Sequence, residues 1–129
     1  MIATTATDTV VLDSSGWLEY LTQDAKADAI APYLEGDVSV LIPAIVLYEV
    51  RKILLLKQSK TLADIFWSEA LKRILVPIDE DLAFNAAELS VSHKLAMADA
   101  IIYATALHYN APLVTSDAHF ANLPGVTLV

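Results

Sequence analysis

Short apolar runs alternate along this chain with longer segments in which apolar residues recur every three or four positions. The short runs are rich in Val, Ile and Leu, as is typical of buried strands. The pattern predicts five strands, the last of them the weakest, at residues 9–13, 38–41, 74–77, 113–115 and 126–129.

The longer segments have helical periodicity and recognisable ends. They predict helices at about residues 14–22, 24–34, 43–57, 59–73, 80–94 and 97–109. Residues suited to begin or end these helices are Asp24, Gly36, Pro43, Ser59 or Thr61, and Asp79. The last helix is almost wholly apolar, so we expect it to be central and buried.

Strands joined mostly by helices indicate an α/β fold with a mostly parallel central sheet and right-handed crossovers. The helices within residues 44–73 follow one another without an intervening strand, so they should form a hairpin arm. No repeat, linker or low-complexity segment divides the sequence. We therefore expect one domain over residues 1–129.

The composition agrees with a single small domain and indicates that part of the apolar surface is covered by a partner. The chain has 129 residues, 56% of them hydrophobic, with a mean hydropathy of +0.51. No apolar run approaches the ~18 residues of a membrane span, and the first eight residues lack the features of a signal peptide. We expect a cytoplasmic protein whose surplus apolar surface meets a second copy, as a homodimer, or another protein.

The net charge of −8 counts against general affinity for nucleic acid, but the charges are unevenly distributed. Six of the eight basic residues lie within 51–73 beside only two acidic residues. The rest of the chain has two basic and fourteen acidic residues. A basic arm on an acidic body could contact phosphates, although a charge cluster is also typical of a solvated helical face.

Four carboxylates, Asp13, Glu49, Asp99 and Asp117, stand where the sequence predicts the end of a buried strand or the apolar face of a helix. We call them the acidic quartet. A buried carboxylate usually requires a cation or hydrogen-bond donors. If the four converge, they form an oxygen-rich pocket that suits Mg²⁺ or Mn²⁺ and would repel itself without one.

Each acid also has an ordinary structural explanation. Asp13 and Asp117 could cap helices, Asp99 could favour a helix dipole, and Glu49 could pair with Lys52. The explanation is weakest for Glu49, because a residue in mid-helix cannot act as a cap. The coincidence of four such acids favours a common site.

Histidine and tryptophan add little to the candidate chemistry. His93, His108 and His119 lack the spacing of zinc ligands, so we interpret each as structural or superficial, with His119 the nearest to an acid. Trp17 and Trp67 could stack on bases, but among Leu, Ile and Phe they are typical of a core or an interface.

At this point the chain resembles the PIN-domain ribonucleases, particularly the VapC toxins of VapBC toxin–antitoxin pairs. The segments that carry the resemblance are Val-Val-Leu-Asp-Ser-Ser at 10–15, Tyr-Glu-Val at 48–50, 97–106 and 113–120. The first two are weak alone, whereas the latter two are fairly specific. The resemblance covers nearly the whole chain.

The resemblance implies a PIN-like fold and an endoribonuclease toxin held inactive by a cognate antitoxin. The acidic quartet would hold one or two divalent metal ions, with the Thr115 hydroxyl supporting the site and Ser15 bonding to the first acid. Family members often flank the last acid with basic residues, where this chain has Ser116 and Ala118.

Two other classes of function fit parts of the sequence. An acidic pocket with Mg²⁺ also serves phosphoryl transfer to aspartate, but haloacid dehalogenase-like phosphatases have a second Asp where this chain has Ser15. A catalytically inactive PIN-like interaction module would keep the apolar arm and lose metal-dependent activity. In hydrolysis assisted by a divalent ion, a metal-bound water attacks the phosphodiester, so no protein nucleophile is required. The absence of cysteine agrees with such a mechanism.

The arm, residues 44–73, has more apolar side chains than a two-helix hairpin can bury. We expect a groove between the arm and the early helices that accepts an amphipathic antitoxin segment. The residues expected to line it are Leu55, Leu62, Phe66 and Trp67. The basic residues expected to contact RNA phosphates are Arg51, Lys52, Lys72 and Arg73.

Overall fold

A parallel sheet forms the centre of the molecule, which the computed structural model describes over residues 9–129. Within that range its strands are β1 (Thr9–Leu12), β2 (Ser39–Pro43), β3 (Ile74–Val76), β4 (Leu113–Thr115) and β5 (Val126–Leu128). They pair in the order β3-β2-β1-β4-β5, and every pair is parallel. Residues 1–8, in which no signal peptide was expected, lie outside the described residues.

Helices connect the strands. They are α1 (Ser14–Leu21), α2 (Ala27–Glu35), α3 (Ala44–Lys57), α4 (Lys60–Ala70), α5 (Glu80–His93) and α6 (Met97–His108), with a 3₁₀ turn at Ala118–Phe120. Helices α3 and α4 form the predicted hairpin arm, so the α/β prediction is confirmed. Over residues 9–129, no helix has the length and apolar character needed to cross a bilayer.

Most helix ends follow the sequence signals. The side chains of Ser59 and Asp79 accept hydrogen bonds from backbone amides in the first turns of α4 and α5. The prediction that Asp24 caps α2 is wrong, because the chain makes another turn first and α2 begins after Lys26. Asp24 instead accepts a hydrogen bond from the amide of Ala25 at 2.8 Å. The Asp24 side chain thus bonds within its own turn and does not cap α2.

The core lies between the sheet and the helices, and α6 passes through it. Residues 100–106 of α6 are all buried, which confirms the prediction of a central helix. In the same core, Trp17 of α1 packs edge-on against Phe66 of the arm, with ring centroids 5.2 Å apart. This contact fixes the base of the arm on the domain, because both side chains are fully enclosed.

Candidate active site

The tips of β1 and β4 are neighbours in the middle of the sheet, with β2 on one side and β5 on the other. The amide of Asp13 donates to the carbonyl of Val114, which ties the two tips together. The order of strands reverses its direction between β1 and β4, and such a switch point opens a crevice at the carboxyl ends of the strands. Asp13 and Asp117 follow these two strands, so the crevice begins with two acids.

Asp13 is buried, with 3% of its surface exposed, and donors surround its carboxylate. Oδ1 accepts from the Gly16 amide at 3.0 Å and from Ser15 Oγ at 2.8 Å. Oδ2 accepts from Thr115 Oγ1 at 2.6 Å. Burial raises the pKa of Asp13 above its ordinary value; the hydrogen bonds from Thr115, Gly16 and Ser15 oppose this rise, and the charge of Asp117 adds to it.

A network of hydroxyl groups joins the two strand tips. Thr115 is fully buried at the end of β4, where its hydroxyl donates to Asp13 and accepts from the amide of Asp117 at 2.8 Å. Ser116 Oγ lies 3.1 Å from Ser15 Oγ. Thr115 therefore contacts two of the acids at once, through the carboxylate of Asp13 and the backbone amide of Asp117.

Two helices carry the remaining acids. Glu49 lies on α3, where Ser14 Oγ donates to its Oε1 at 2.7 Å. Asp99 lies in the first turn of α6. The pKa of Asp99 is raised above its ordinary value, mainly by burial and to a smaller extent by the negative charges of Asp117, Glu49 and Asp13. His119 lowers this pKa. All three other acids therefore lie within electrostatic range of Asp99.

The donor set suits a divalent cation. One ligand atom from each of Asp99, Asp117 and His119 can be chosen so that the three atoms lie within 4.8 Å of one another. Carboxylate oxygens and an imidazole nitrogen are ordinary ligands of divalent metals. Among the described residues, Asp13 and Glu49 lie outside this group of three and add negative charge beside it.

His119, the histidine that the sequence places nearest to an acid, lies beside Asp117 in the structure. It was interpreted as structural or superficial, yet its Nδ1 lies 3.1 Å from Asp117 Oδ1. Its backbone amide also donates to Asp117 Oδ1, at 2.9 Å. The available signal was its position two residues after Asp117, because the tight turn between them returns the side chain toward the acid.

Most of the basic residues expected to contact RNA have partners within the protein. Arg51 pairs with Asp64 at 3.1 Å, and Lys72 lies 3.4 Å from Glu69. Arg73 Nη2 donates to the carbonyl of Leu34 at 2.8 Å, which ties the arm to α2. The ammonium group of Lys52, by contrast, is exposed above the ring of Tyr48, 5.6 Å from its centroid.

An open cavity of about 650 Å³ lies along α3 and reaches Trp67 of α4. Of the predicted groove residues, Leu55 and Trp67 line it, with 47% and 37% of their surfaces exposed. We call this cavity the α3 groove. Its other lining residues are Ala44, Leu47, Tyr48, Arg51, Lys52 and Leu56.

One part of the groove prediction is wrong. Phe66 is 0% exposed because it packs on Trp17, so it belongs to the core and offers no surface to a partner. Leu62 is partly buried against the same core. A smaller cavity of about 250 Å³ does lie between the early helices and the arm, where Trp17, Ile65 and Arg73 help to line it.

Comparisons with known proteins identify the fold. The family model of the PIN domain matches residues 10–126. A toxin–antitoxin complex from Klebsiella pneumoniae superposes with a TM-score of 0.79, at 22% identity, over 92% of this chain and 95% of that one. The sarcin–ricin loop cleaving toxin VapC20 of Mycobacterium tuberculosis superposes with a TM-score of 0.73, at 20% identity, over 91% and 96%.

FitAcB from Neisseria gonorrhoeae also shares the fold, with a TM-score of 0.64 and 22% identity over 91% of this chain and 95% of that chain. A search of curated proteins finds no match. The PIN model spans nearly the whole chain and includes the complete acidic quartet. The predicted resemblance is therefore confirmed, and the chain belongs to the PIN domain family.

Proposed function

We propose that the chain is a divalent-metal-dependent endoribonuclease and the toxin of a VapC-type toxin–antitoxin pair. The observation that carries the proposal is the meeting of Asp99 and Asp117 beside the charges of Asp13 and Glu49 in a PIN domain. Like charges so close together favour a bound cation. Structural neighbours described as a toxin–antitoxin complex and as a sarcin–ricin loop cleaving toxin support RNA as substrate and an antitoxin as partner.

Asp99 and Asp117 would hold the ion, with Asp13 and Glu49 as the further carboxylates of the pocket. A bound Mg²⁺ or Mn²⁺ lowers the pKa of a water molecule and neutralises charge on the phosphodiester. The carboxylates would repel the phosphates of RNA until that cation is present. Cleavage should therefore depend on the metal both for chemistry and for approach of the substrate.

The protein's own hydrogen bonds would fix the carboxylates before substrate arrives. Thr115 and Ser15 orient Asp13, and Ser14 orients Glu49. These donors belong to the end of a strand and to the first turn of α1, so regular secondary structure fixes their backbones. Preorganised ligands need little rearrangement during the reaction.

RNA cleavage by the Asp99→Asn and Asp117→Asn variants tests this function. We expect the Mn²⁺- or Mg²⁺-dependent cleavage rate of each variant to fall at least about a hundredfold. Removing one preorganised group that stabilises charge in the transition state typically lowers rates by this amount. Asp81→Asn is the matched control. Asp81 also lies in the first turn of a helix, α5, whose start packs near His108 at the far end of α6.

Full activity in the Asp99→Asn variant would contradict the assignment of this site. Absence of cleavage by the unaltered protein, with either ion and a broad set of RNAs, would instead favour the inactive interaction module.

We further propose that the antitoxin covers the α3 groove with an amphipathic segment. Exposed Leu55, Leu56 and Tyr48 give the groove an apolar floor, which supports burial of the apolar face of such a segment. The homodimer expected from the apolar composition stays a prediction.

A further inference from the structure

His119 lies beside the two acids with which it shares a possible ion, although the proposed nuclease function does not require it. Its Nδ1 is 3.1 Å from Asp117 Oδ1, and one of its ring nitrogens lies within 4.8 Å of donor atoms of both Asp99 and Asp117. The side chain is 82% exposed, so packing does not hold the ring in this place.

A purely structural role explains this position poorly. An exposed ion pair contributes little to stability. The chain's other histidines pack against aromatic rings, His93 on Tyr103 and His108 on Tyr109, with centroids 6.1 Å and 4.9 Å apart. His119 alone among the three has carboxylates of the site as its neighbours.

We propose that His119 is the third protein ligand of the metal and that it makes the site prefer Mn²⁺ and later first-row ions to Mg²⁺. This inference rests on the proposed function, because it concerns the same ion. It adds a nitrogen ligand and a metal preference to the acidic quartet.

The preference follows from the chemistry of the ligands. Mg²⁺ is a hard ion that favours oxygen and retains several waters, so an imidazole adds little to its binding. First-row transition ions accept imidazole nitrogen readily. A site with two carboxylates alone would discriminate weakly between Mg²⁺ and Mn²⁺, whereas the same site with one imidazole gains affinity for Mn²⁺ selectively.

The test measures binding of metal by the metal-free protein in the absence of RNA. Free Mn²⁺ is titrated by electron paramagnetic resonance, and Mg²⁺ is measured by its competition with Mn²⁺. Pulsed resonance on the Mn²⁺-loaded protein then detects whether a ¹⁴N nucleus is coupled to the ion. The proteins compared are the unaltered chain and the variants His119→Ala, His119→Gln, His108→Ala and Asp99→Asn.

We expect His119→Ala to weaken Mn²⁺ binding on the order of tenfold, the scale of single-residue effects around metal sites. It should change Mg²⁺ binding less than about twofold, since Mg²⁺ gains little from nitrogen. The ¹⁴N coupling should disappear from His119→Ala and His119→Gln and persist in His108→Ala. The Gln variant keeps a hydrogen-bonding side chain, so it separates the nitrogen ligand from a structural contact.

Two results would overturn the inference and are distinguishable from a failure of the proposed function. If Asp99→Asn abolishes Mn²⁺ binding but His119→Ala leaves the affinity and the ¹⁴N coupling unchanged, the metal site stands without His119. Equal losses of Mn²⁺ and Mg²⁺ affinity in His119→Ala would remove the proposed selectivity. If the unaltered protein binds neither ion, the inference and the metal site of the proposed function both fail.

Discussion

At the scale of single residues, the site depends on hydroxyl groups as much as on carboxylates. Asp13 is buried, and an ionised carboxylate in that position is stable only where donors replace water. The donors come from Ser15, Gly16 and Thr115, so the first strand tip and the fourth both contribute. Thr115 is the residue on which most of this arrangement rests, since it also accepts from the Asp117 amide.

We predict that Thr115→Val destabilises the protein by about 1–3 kcal/mol, because it removes one hydrogen bond from the buried Asp13 carboxylate and leaves the amide of Asp117 without its acceptor. Urea unfolding of the metal-free protein measures this change. Thr115→Ser, which restores the hydroxyl, should recover most of the loss. Equal destabilisation by Val and Ser would show that the methyl group's packing, rather than the hydrogen bonds, matters at this position.

Replacing Asp99 should stabilise the metal-free protein, whereas replacing Thr115 should destabilise it. The pKa of Asp99 in the folded protein is raised by burial and then by the charges of Asp117, Glu49 and Asp13, so its ionised form weakens folding at neutral pH. We predict that Asp99→Asn raises the melting temperature of the metal-free protein by a few degrees at pH 7. Calorimetry in EDTA measures it.

The gain from Asp99→Asn should shrink as the pH falls through the raised pKa toward the ordinary value of 3.8, because the native carboxyl then takes up a proton. Asp81→Asn, which alters an exposed helix-start acid, is the control and should give no comparable gain. A lower melting temperature for Asp99→Asn would show that the carboxylate stabilises the metal-free fold and that repulsion is not the dominant effect.

At the scale of elements, periodicity predicted every strand and helix, but it could not fix all of their ends or faces. Asp24 has a good capping side chain, yet tertiary geometry placed another turn before α2. Phe66 and Trp67 are adjacent on α4 and equally apolar, so the sequence could not tell which of them enters the core. That choice depends on where Trp17 lies, which is a contact between distant segments.

The sequence likewise predicted some residues of the candidate site and could not place others. The acids at Asp13 and Asp117 could be anticipated because each follows a strand of a parallel sheet, and neighbouring strand tips share one edge. The prediction that Glu49 and Asp99 join them depended on which faces of α3 and α6 are apolar. The closeness of His119 depends on a tight turn after β4, and no periodicity reports on such a turn.

The arm gives a prediction at this scale. Trp67→Ala should weaken binding of the co-expressed antitoxin by at least about tenfold, since a half-exposed aromatic in an apolar groove is a typical hot spot. Isothermal titration measures the affinity, and cleavage of free RNA should change little. Ile65→Ala is the matched control, because Ile65 is an exposed apolar residue of the same helix that lines the other cavity.

If Trp67→Ala binds the antitoxin as tightly as the unaltered chain, the α3 groove is not the antitoxin site. An equal loss from Ile65→Ala would indicate that the partner also contacts the cavity between the arm and the early helices, which Ile65 lines.

At the scale of the whole molecule, the main tension is an acidic protein acting on a polyanion. Residues 51–73, which are most of the arm, include six basic and two acidic residues, while the rest of the chain has two basic and fourteen acidic. Much of that positive charge is neutralised within the arm, since Arg51 pairs with Asp64 and Lys72 with Glu69. Lys52 remains an exposed cation on α3, three residues from Glu49 of the site. It is therefore the best placed basic residue to guide a phosphate toward the acids.

We predict that Lys52→Glu weakens RNA binding severalfold and lowers the salt dependence of the affinity by about one unit of slope, as expected for the loss of one phosphate contact. Affinities are measured by fluorescence anisotropy over a range of salt, in an Asp117→Asn background that prevents cleavage. Lys57→Glu is the control, since it makes the same charge change on the same helix, roughly 12 Å along the axis from Glu49. Equal changes in both variants would indicate that the field of the whole arm attracts RNA, and an unchanged slope in Lys52→Glu would exclude α3 from the RNA path.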